Sequence, residues 1–283
     1  MSGRVNATFA VTKVRLDEHG EVIQVDTRGD TVAGEEPLEI RVGGQTLTTT
    51  MRTPGHDVEL AHGFLHSEGH IEKASDVTEA RYCAGASVDG RNPYNLLDVE
   101  LANPHAISLA DLRLTTTTSA CGVCGTSSIE ALMMQSRYSI PQVPVDPGVV
   151  AMLPGALKAE QKQFRKTGGI HAAGAFTLEG EPVVVREDVG RHNAADKVIG
   201  HLLMEGMLPA SDLILVMSSR ASFELVNKAA MAGFGMLVAV SAASSLAVET
   251  ARETGMALVG FARGDRFNLY SGELSRGTPP GQS

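Results

Sequence analysis

Two hydrophobic rhythms divide the chain. From residue 8 to residue 114 the apolar positions fall in short alternating or β-branched runs, at 8–16, 38–42, 45–51 and 96–101, separated by Gly, Asp and Asn. Such runs predict strands. One helical pattern interrupts them in RTPGHDVELAHGFLHSEG, residues 52–69. There Thr53 is the expected N-cap, Pro54 the first helical residue, and Leu60, Phe64 and Leu65 the apolar face. The expectation is a strand-rich α+β domain over residues 1–120.

After the Pro-punctuated stretch 141–147 the rhythm lengthens. A helix is expected over 149–165, then apolar runs at 171–178 and 182–186 joined through Glu179-Gly180 as a hairpin. Helices at 194–205, 223–232 and 246–253 then alternate with strands at 213–217, 236–240 and 257–261. Helical connections of this length imply right-handed crossovers, so a largely parallel sheet is expected in an α/β domain over 148–283. Residues 121–147 join the two domains as a Cys-x-x-Cys loop, a helix and a linker.

That architecture makes four loops informative, because an open parallel sheet binds ligands beyond the carboxyl ends of its strands. They are REDVGRHN (186–193), SSRAS (218–222), SAASS (241–245) and FARGDR (261–266). Ser218, Ser219, Arg220, Arg191, His192 and the FARGDR residues offer hydroxyls, cations and an aromatic. This suits a phosphate-bearing ligand whose base stacks on Phe261. Helix capping by Ser222 and Ser244 and solvation of the arginines is the plainer alternative. Arg191, His192, Asp196 and Lys197 follow Gly190 at a helix start, where a pyrophosphate would fit, although His192 and Asp196 also make an ordinary i, i+4 pair.

Length and charge narrow the classes. The chain has 283 residues, enough for one large or two modest domains, and its net charge of −9 argues against duplex nucleic acid as the main partner. MSGRVNATFAVTKVRL contains no apolar signal core and no run of 18 apolar residues follows, so a cytoplasmic protein without membrane spans is expected. The only cysteines are Cys83, Cys121 and Cys124, too few for a disulfide framework.

TTTTSACGVCGTSS, residues 115–128, therefore carries the main chemical question. Cys121 and Cys124 have the spacing of a zinc knuckle, of a redox dithiol and of a persulfide carrier. The chain has no second Cys pair at zinc spacing. SSIEALMMQ, residues 127–135, reads as a helix, and a cysteine just before a helix N-terminus is favoured as thiolate. Cys83, in RYCAG, has no partner in sequence and reads as a small buried residue. His62 and His66 share one helix face near Glu59, a geometry able to hold zinc but equally that of a polar or interface face.

The 52–69 helix, SACGVCG, TGGIHAA, VREDVGRHNAADKVIG, SSRASFELVNKA and GFARGDRFNLYS, in that order, resemble the FdhD family, sulfurtransferases that help mature formate dehydrogenases. The resemblance implies that a cysteine desulfurase passes sulfur to Cys121 as a persulfide, with Cys124 assisting. The sulfur then goes to molybdenum bis(molybdopterin guanine dinucleotide). It further implies that Phe261, Ala262, Arg263, Gly264, Asp265 and Arg266 line the guanine nucleotide site. A cytidine deaminase-like three-layer second domain, a homodimer and no tightly bound metal are implied as well. Two other classes stay open. A zinc deaminase would need Glu two residues after its first ligand and Pro-Cys-x-x-Cys at the next helix, where this chain has Ala194 and Ser218-Ser219-Arg220. A non-catalytic cofactor-binding module would keep the loops and make the cysteines dispensable.

Overall fold

The structure, a computed structural model, describes residues 5–83, 94–103, 107 and 137–275; Cys121, Cys124 and the helix expected at 127–135 lie outside them. Strands β1 (Asn6–Leu16) and β2 (Val22–Ala33) form an antiparallel ribbon. Strands β3 (Glu36–Val42), β4 (Gln45–Arg52), β5 (Val77–Tyr82) and β6 (Leu96–Leu101) make a second sheet in the order β4-β3-β6-β5. Helix α1 (Asp57–Ser67) covers it, burying Leu60, Ala61 and Leu65 against Leu38, Ile40, Leu47, Leu97 and Val99.

The third sheet contains β7 (His171–Thr177), β8 (Pro182–Asp188), β9 (Leu213–Met217), β10 (Met236–Ala239), β11 (Ala257–Arg263) and β12 (Arg266–Ser271), in the order β12-β11-β10-β9-β7-β8. Only β9, β10 and β11 pair in parallel. The sheet is mixed, and the expectation of a largely parallel one is corrected. The cause lies in the connections, since short turns join only antiparallel neighbours. One such turn, with Gly180 at φ 90°, links β7 to β8, and Gly264-Asp265 links β11 to β12. The expected Glu179-Gly180 hairpin is thus present, whereas β12 was not anticipated.

Helices cover both faces. On one side α2 (Pro147–Glu160) and the short α3 (Lys162–Thr167) lie over the sheet, with Val150, Leu153 and Leu157 of α2 against Ala172, Phe176 and Val216. The Asp146 carboxylate caps α2 by accepting from Gly148 N at 2.8 Å and Val149 N at 3.1 Å, and Pro147 starts the helix without an N–H to satisfy. On the other side α4 (Arg191–Met204), α5 (Phe223–Met231) and α6 (Ser245–Thr254) pack on Ala173, Ala175, Leu215, Met217 and Leu237. Helix, sheet and helix form three layers.

The other face of α1 packs on α4. Gly63 and Gly200 permit the approach: a β-carbon on the first would overlap the main chain of Asp196, and one on the second the carbonyl of Glu59. Beside this contact Arg186 grips Glu59 with two bonds of 2.6 and 2.7 Å. Thr53 is not the N-cap of α1, which starts at Asp57 after His56 at φ 57°. It is engaged elsewhere: its N–H donates to Asp188 at 3.1 Å and its hydroxyl accepts from Val189 N at 3.2 Å, so Pro54 and Gly55 turn the chain before the helix begins.

Candidate functional site

His171 pairs with Asp188 and Ala173 with Met217, so the carboxyl ends of β8 to β11 share one edge with the start of β7. The four expected loops meet there. Three are laced by main-chain bonds: Ser241 N donates to Ser219 O at 3.3 Å, Ser244 N to Ala221 O at 3.0 Å, and Phe261 N to Ser241 O at 3.0 Å. FARGDR, however, is the turn of the β11–β12 hairpin, with an irregular register between Gly260 and Arg263. Phe261 sits at φ 51°, a left-handed conformation costly for a residue with a β-carbon, and is 39% exposed. Ala262 turns inward and is buried, while Arg263, Gly264, Asp265 and Arg266 face solvent.

A cavity of about 800 Å³ opens between this edge and helices α2 and α3. Of the anticipated residues, Ser218, Ala262 and Arg263 border it, and Phe261 does not. Lys158, Gln161, Phe164 and His171 also border it and were not anticipated. Their placement follows from Glu187 at the end of β8, whose carboxylate accepts from Gln163 N and Phe164 N at 2.8 Å each and so pins the start of α3 to the edge. Ser218 Oγ accepts from Ala172 N at 2.8 Å.

Arg191 and His192 emerge on the opposite side of the same edge, at the start of α4, with the charge of Arg220 acting on His192. Ser219 is buried, its hydroxyl donating to Arg220 O at 3.0 Å. At the helix start where a pyrophosphate is expected, Gly190 and Lys197 are engaged by the Asp188 carboxylate, which accepts from Gly190 N at 2.8 Å, Asn193 Nδ2 at 3.2 Å and Lys197 Nζ at 2.6 Å. Asp196 turns to Lys228 at 2.9 Å rather than to His192. His192 Nε2 lies 3.5 Å from Ser222 Oγ and 3.9 Å from Glu224. Burial, then the charges of Arg191 and Lys228, push His192 down to about 4, leaving it neutral at pH 7.

A pH dependence follows. An unfolded histidine titrates near 6.5, so between about pH 6.5 and 4 the unfolded chain binds more protons at this position than the folded one. The stability His192 contributes is present above that window and is lost as pH falls through it. Thermal melts should show a lower transition at pH 5 than at pH 7.5, with the difference reduced in His192→Asn; an equal difference in the variant would contradict this.

His62 and His66 are buried between elements: His62 Nδ1 meets Val58 O at 2.8 Å and His66 Nε2 meets Met231 O at 3.0 Å. Burial lowers the pKa of both. Theirs is an interface face. Cys83 is only half-buried, with Sγ 3.9 Å from Asp98. Among the described residues no helix is long and apolar enough to cross a membrane.

The described chain resumes at Arg137, which donates to Gly69 O and Ile71 O at 2.6 and 2.5 Å. Tyr138, Pro141 and Val143 then run against Gly233 and Gly235, just before β10. Residues 138–143 therefore lie at the amino edge, a strand's length or roughly 17 Å from the carboxyl-edge cavity.

A profile of the FdhD/NarQ family matches residues 33–275. The sulfur carrier protein FdhD of Corynebacterium efficiens is 58% identical over 277 residues, covering 96% of this chain and 99% of its own. That of Nocardia farcinica is 54% identical over 274 residues, covering 96% and 95%. The fold also matches the crystal structure of a chain described as a formate dehydrogenase accessory protein from Desulfotalea psychrophila, with a TM-score of 0.70, 21% identity, and coverage of 93% of this chain and 96% of that one. With the family profile spanning most of its length and relatives above half identity over nearly all of it, the chain belongs to the FdhD/NarQ family.

Proposed function

We propose that the protein is a sulfur carrier in formate dehydrogenase maturation, taking sulfur from a cysteine desulfurase onto Cys121 and delivering it to molybdenum bis(molybdopterin guanine dinucleotide). Supporting this are its relatives, named as sulfur carrier proteins, and the sequence SACGVCG. The loading step is an exchange of sulfur–sulfur bonds. The Cys121 thiolate attacks the outer sulfur of the desulfurase persulfide, a new S–S bond forms, the old one breaks, and the desulfurase thiolate leaves, with no net oxidation. Attack by the Cys124 thiolate on the inner sulfur would then release hydrosulfide and leave a Cys121–Cys124 disulfide, which a dithiol reductant of the thioredoxin class resets.

The carboxyl-edge cavity is the single observation favouring a large nucleotide-tailed cargo. Arg263 and Lys158 supply cations for phosphate, and Phe164 and Leu157 supply apolar wall. A two-ended ligand held there by its nucleotide tail would present its metal end to the cysteines. The deaminase reading lacks its residues, since Ala194 stands where the acid would be and Ser218-Ser219-Arg220 where the cysteine ligands would be. Incubation with desulfurase and cysteine, followed by peptide mass spectrometry, should find one added sulfur on the peptide holding Cys121. Its absence would leave the non-catalytic cofactor-binding reading.

A metal measurement separates the zinc reading as well. Chelation of the purified protein should leave its melting temperature unchanged, whereas a structural zinc contributes directly to folding and its removal would unfold the chain.

A further inference from the structure

We propose that a pocket at the carboxyl-terminal end of α4 is the seat of residues 129–134, the apolar stretch IEALMM that follows the two cysteines, with Leu132 and Met133 as its anchors. The pocket has a volume of about 290 Å³. Leu203, Met204 and Leu208 border it on one side, and Lys73, Ala74 and Ser75, in the turn that follows α1, on the other. Leu203 and Leu208 pack on the core beneath α1, but Met204 is 43% exposed, so the described residues leave part of this apolar wall uncovered. Removing such a surface from water is favourable, and an apolar stretch of chain within reach is its natural cover.

The path of the chain identifies that cover. Arg137 donates to Gly69 O and Ile71 O, and Ile71 directly precedes Glu72, which borders the pocket. Tyr138 stacks on His66, with 6.4 Å between ring centroids. A β-carbon on Gly233 would lie 2.6 Å from Pro209 Cβ and 3.2 Å from Tyr138 Cδ2, so Tyr138 also comes close to Pro209, the neighbour of Leu208 on the opposite wall. Both sides of the pocket thus lie beside residues 137 and 138. Four residues of chain span about 6 Å as helix and at most about 14 Å when extended, which keeps Met133 within that radius of Arg137. Ile129, Leu132 and Met133 stand at i, i+3 and i+4, one apolar face of the helix that the pattern predicts, and Ala131 falls opposite. Methionine suits an irregular pocket because its unbranched side chain adapts to the wall. Seating this face shortens the tether of Cys124 from residues 125–136 to residues 125–128, a reduction in reach from roughly 40 Å to roughly 14 Å.

Hydrogen peroxide footprinting of the full chain, read by peptide mass spectrometry, tests this on the natural protein. Met152, 60% exposed on α2, is the open reference. If residues 129–134 cover Met204, it should form sulfoxide at least about fivefold more slowly than Met152, because a covered thioether meets the oxidant less often. Leu132→Asp combined with Met133→Asp should bring Met204 to within about twofold of Met152, while Ala131→Asp, on the opposite face, should leave Met204 protected. A second measurement keeps the pocket itself unaltered: p-benzoylphenylalanine placed at position 133 should, on illumination, cross-link to residues 203–208 or 72–75 of the same molecule. Equal oxidation of Met204 and Met152 in the natural protein overturns the proposal, as does a cross-link to any other part of the chain. Protection of Met204 that survives Leu132→Asp with Met133→Asp also overturns it, since something else then covers the pocket. Cross-links between two molecules, or protection that grows with protein concentration, would give the pocket to a second copy and overturn it as well.

Discussion

Cys121→Ala should abolish both the sulfur added by a desulfurase and the activation of formate dehydrogenase. The reason is chemical: the Cys121 thiolate is the proposed acceptor of the persulfide's outer sulfur, and an alanine at 121 removes that atom while Cys124 keeps only its resolving part. The melting temperature and the affinity for GDP should match those of the natural protein. Cys124→Ala should still acquire sulfur, because loading needs one thiolate, and should accumulate it if Cys124 is the resolving group. Formate dehydrogenase activation is read by co-expression with either variant. Undiminished activation by Cys121→Ala would remove sulfur carriage on Cys121 from the account and favour the cofactor-binding module, since no cysteine is among the described residues that border the carboxyl-edge cavity.

The strand and helix rhythm was legible wherever one period dominated. LILVM and LLDVEL needed nothing beyond their apolar pattern, and β9 and β6 occupy those residues. By contrast β2, VIQVDTRGDTVA, β5, VTEARY, and β12, RFNLYS, carry polar residues that solvent or a neighbouring strand accommodates, so no burial pattern marks them. The gathering of four loops on one edge was readable because β8 and β9 to β11 point the same way whatever the direction of β7. Which side of that edge opens was not. The far wall comes from α2 and α3, and a helix's choice of sheet face is settled by packing that its own sequence does not record. In VREDVGRHNAADK the sequence offers Arg191, His192, Asp196 and Lys197 for an anion, and what it does not record is that Lys197 and its neighbour Asn193 bind the main chain of Thr53 and Met51, more than a hundred residues away.

That buried network carries the largest expected effect on stability. Asp188 is fully buried and holds four donors: Lys197 Nζ at 2.6 Å, Gly190 N at 2.8 Å, Thr53 N at 3.1 Å and Asn193 Nδ2 at 3.2 Å. Lys197, 1% exposed, also donates to Thr53 O at 2.9 Å, so one ion pair fastens the 51–53 strand end to the start of α4. Asp188→Ala leaves an ammonium in the interior with no counter-charge, at a cost of about 3 to 5 kcal/mol. Against a usual domain stability of about 5 to 15 kcal/mol, urea unfolding should show a strongly lowered midpoint or little folded protein. Pairing the change with Lys197→Met tests the cause. Removing both charges leaves two main-chain donors and one carbonyl to re-pair but no buried ion, so the double variant should recover part of the loss, and the coupling between the sites should exceed about 1 kcal/mol. Simple additivity would show that Asp188 acts through its backbone contacts alone. Recovery with coupling would identify the pair as the clamp that keeps the carboxyl edge, and with it the cavity wall at Val189, in register with α1.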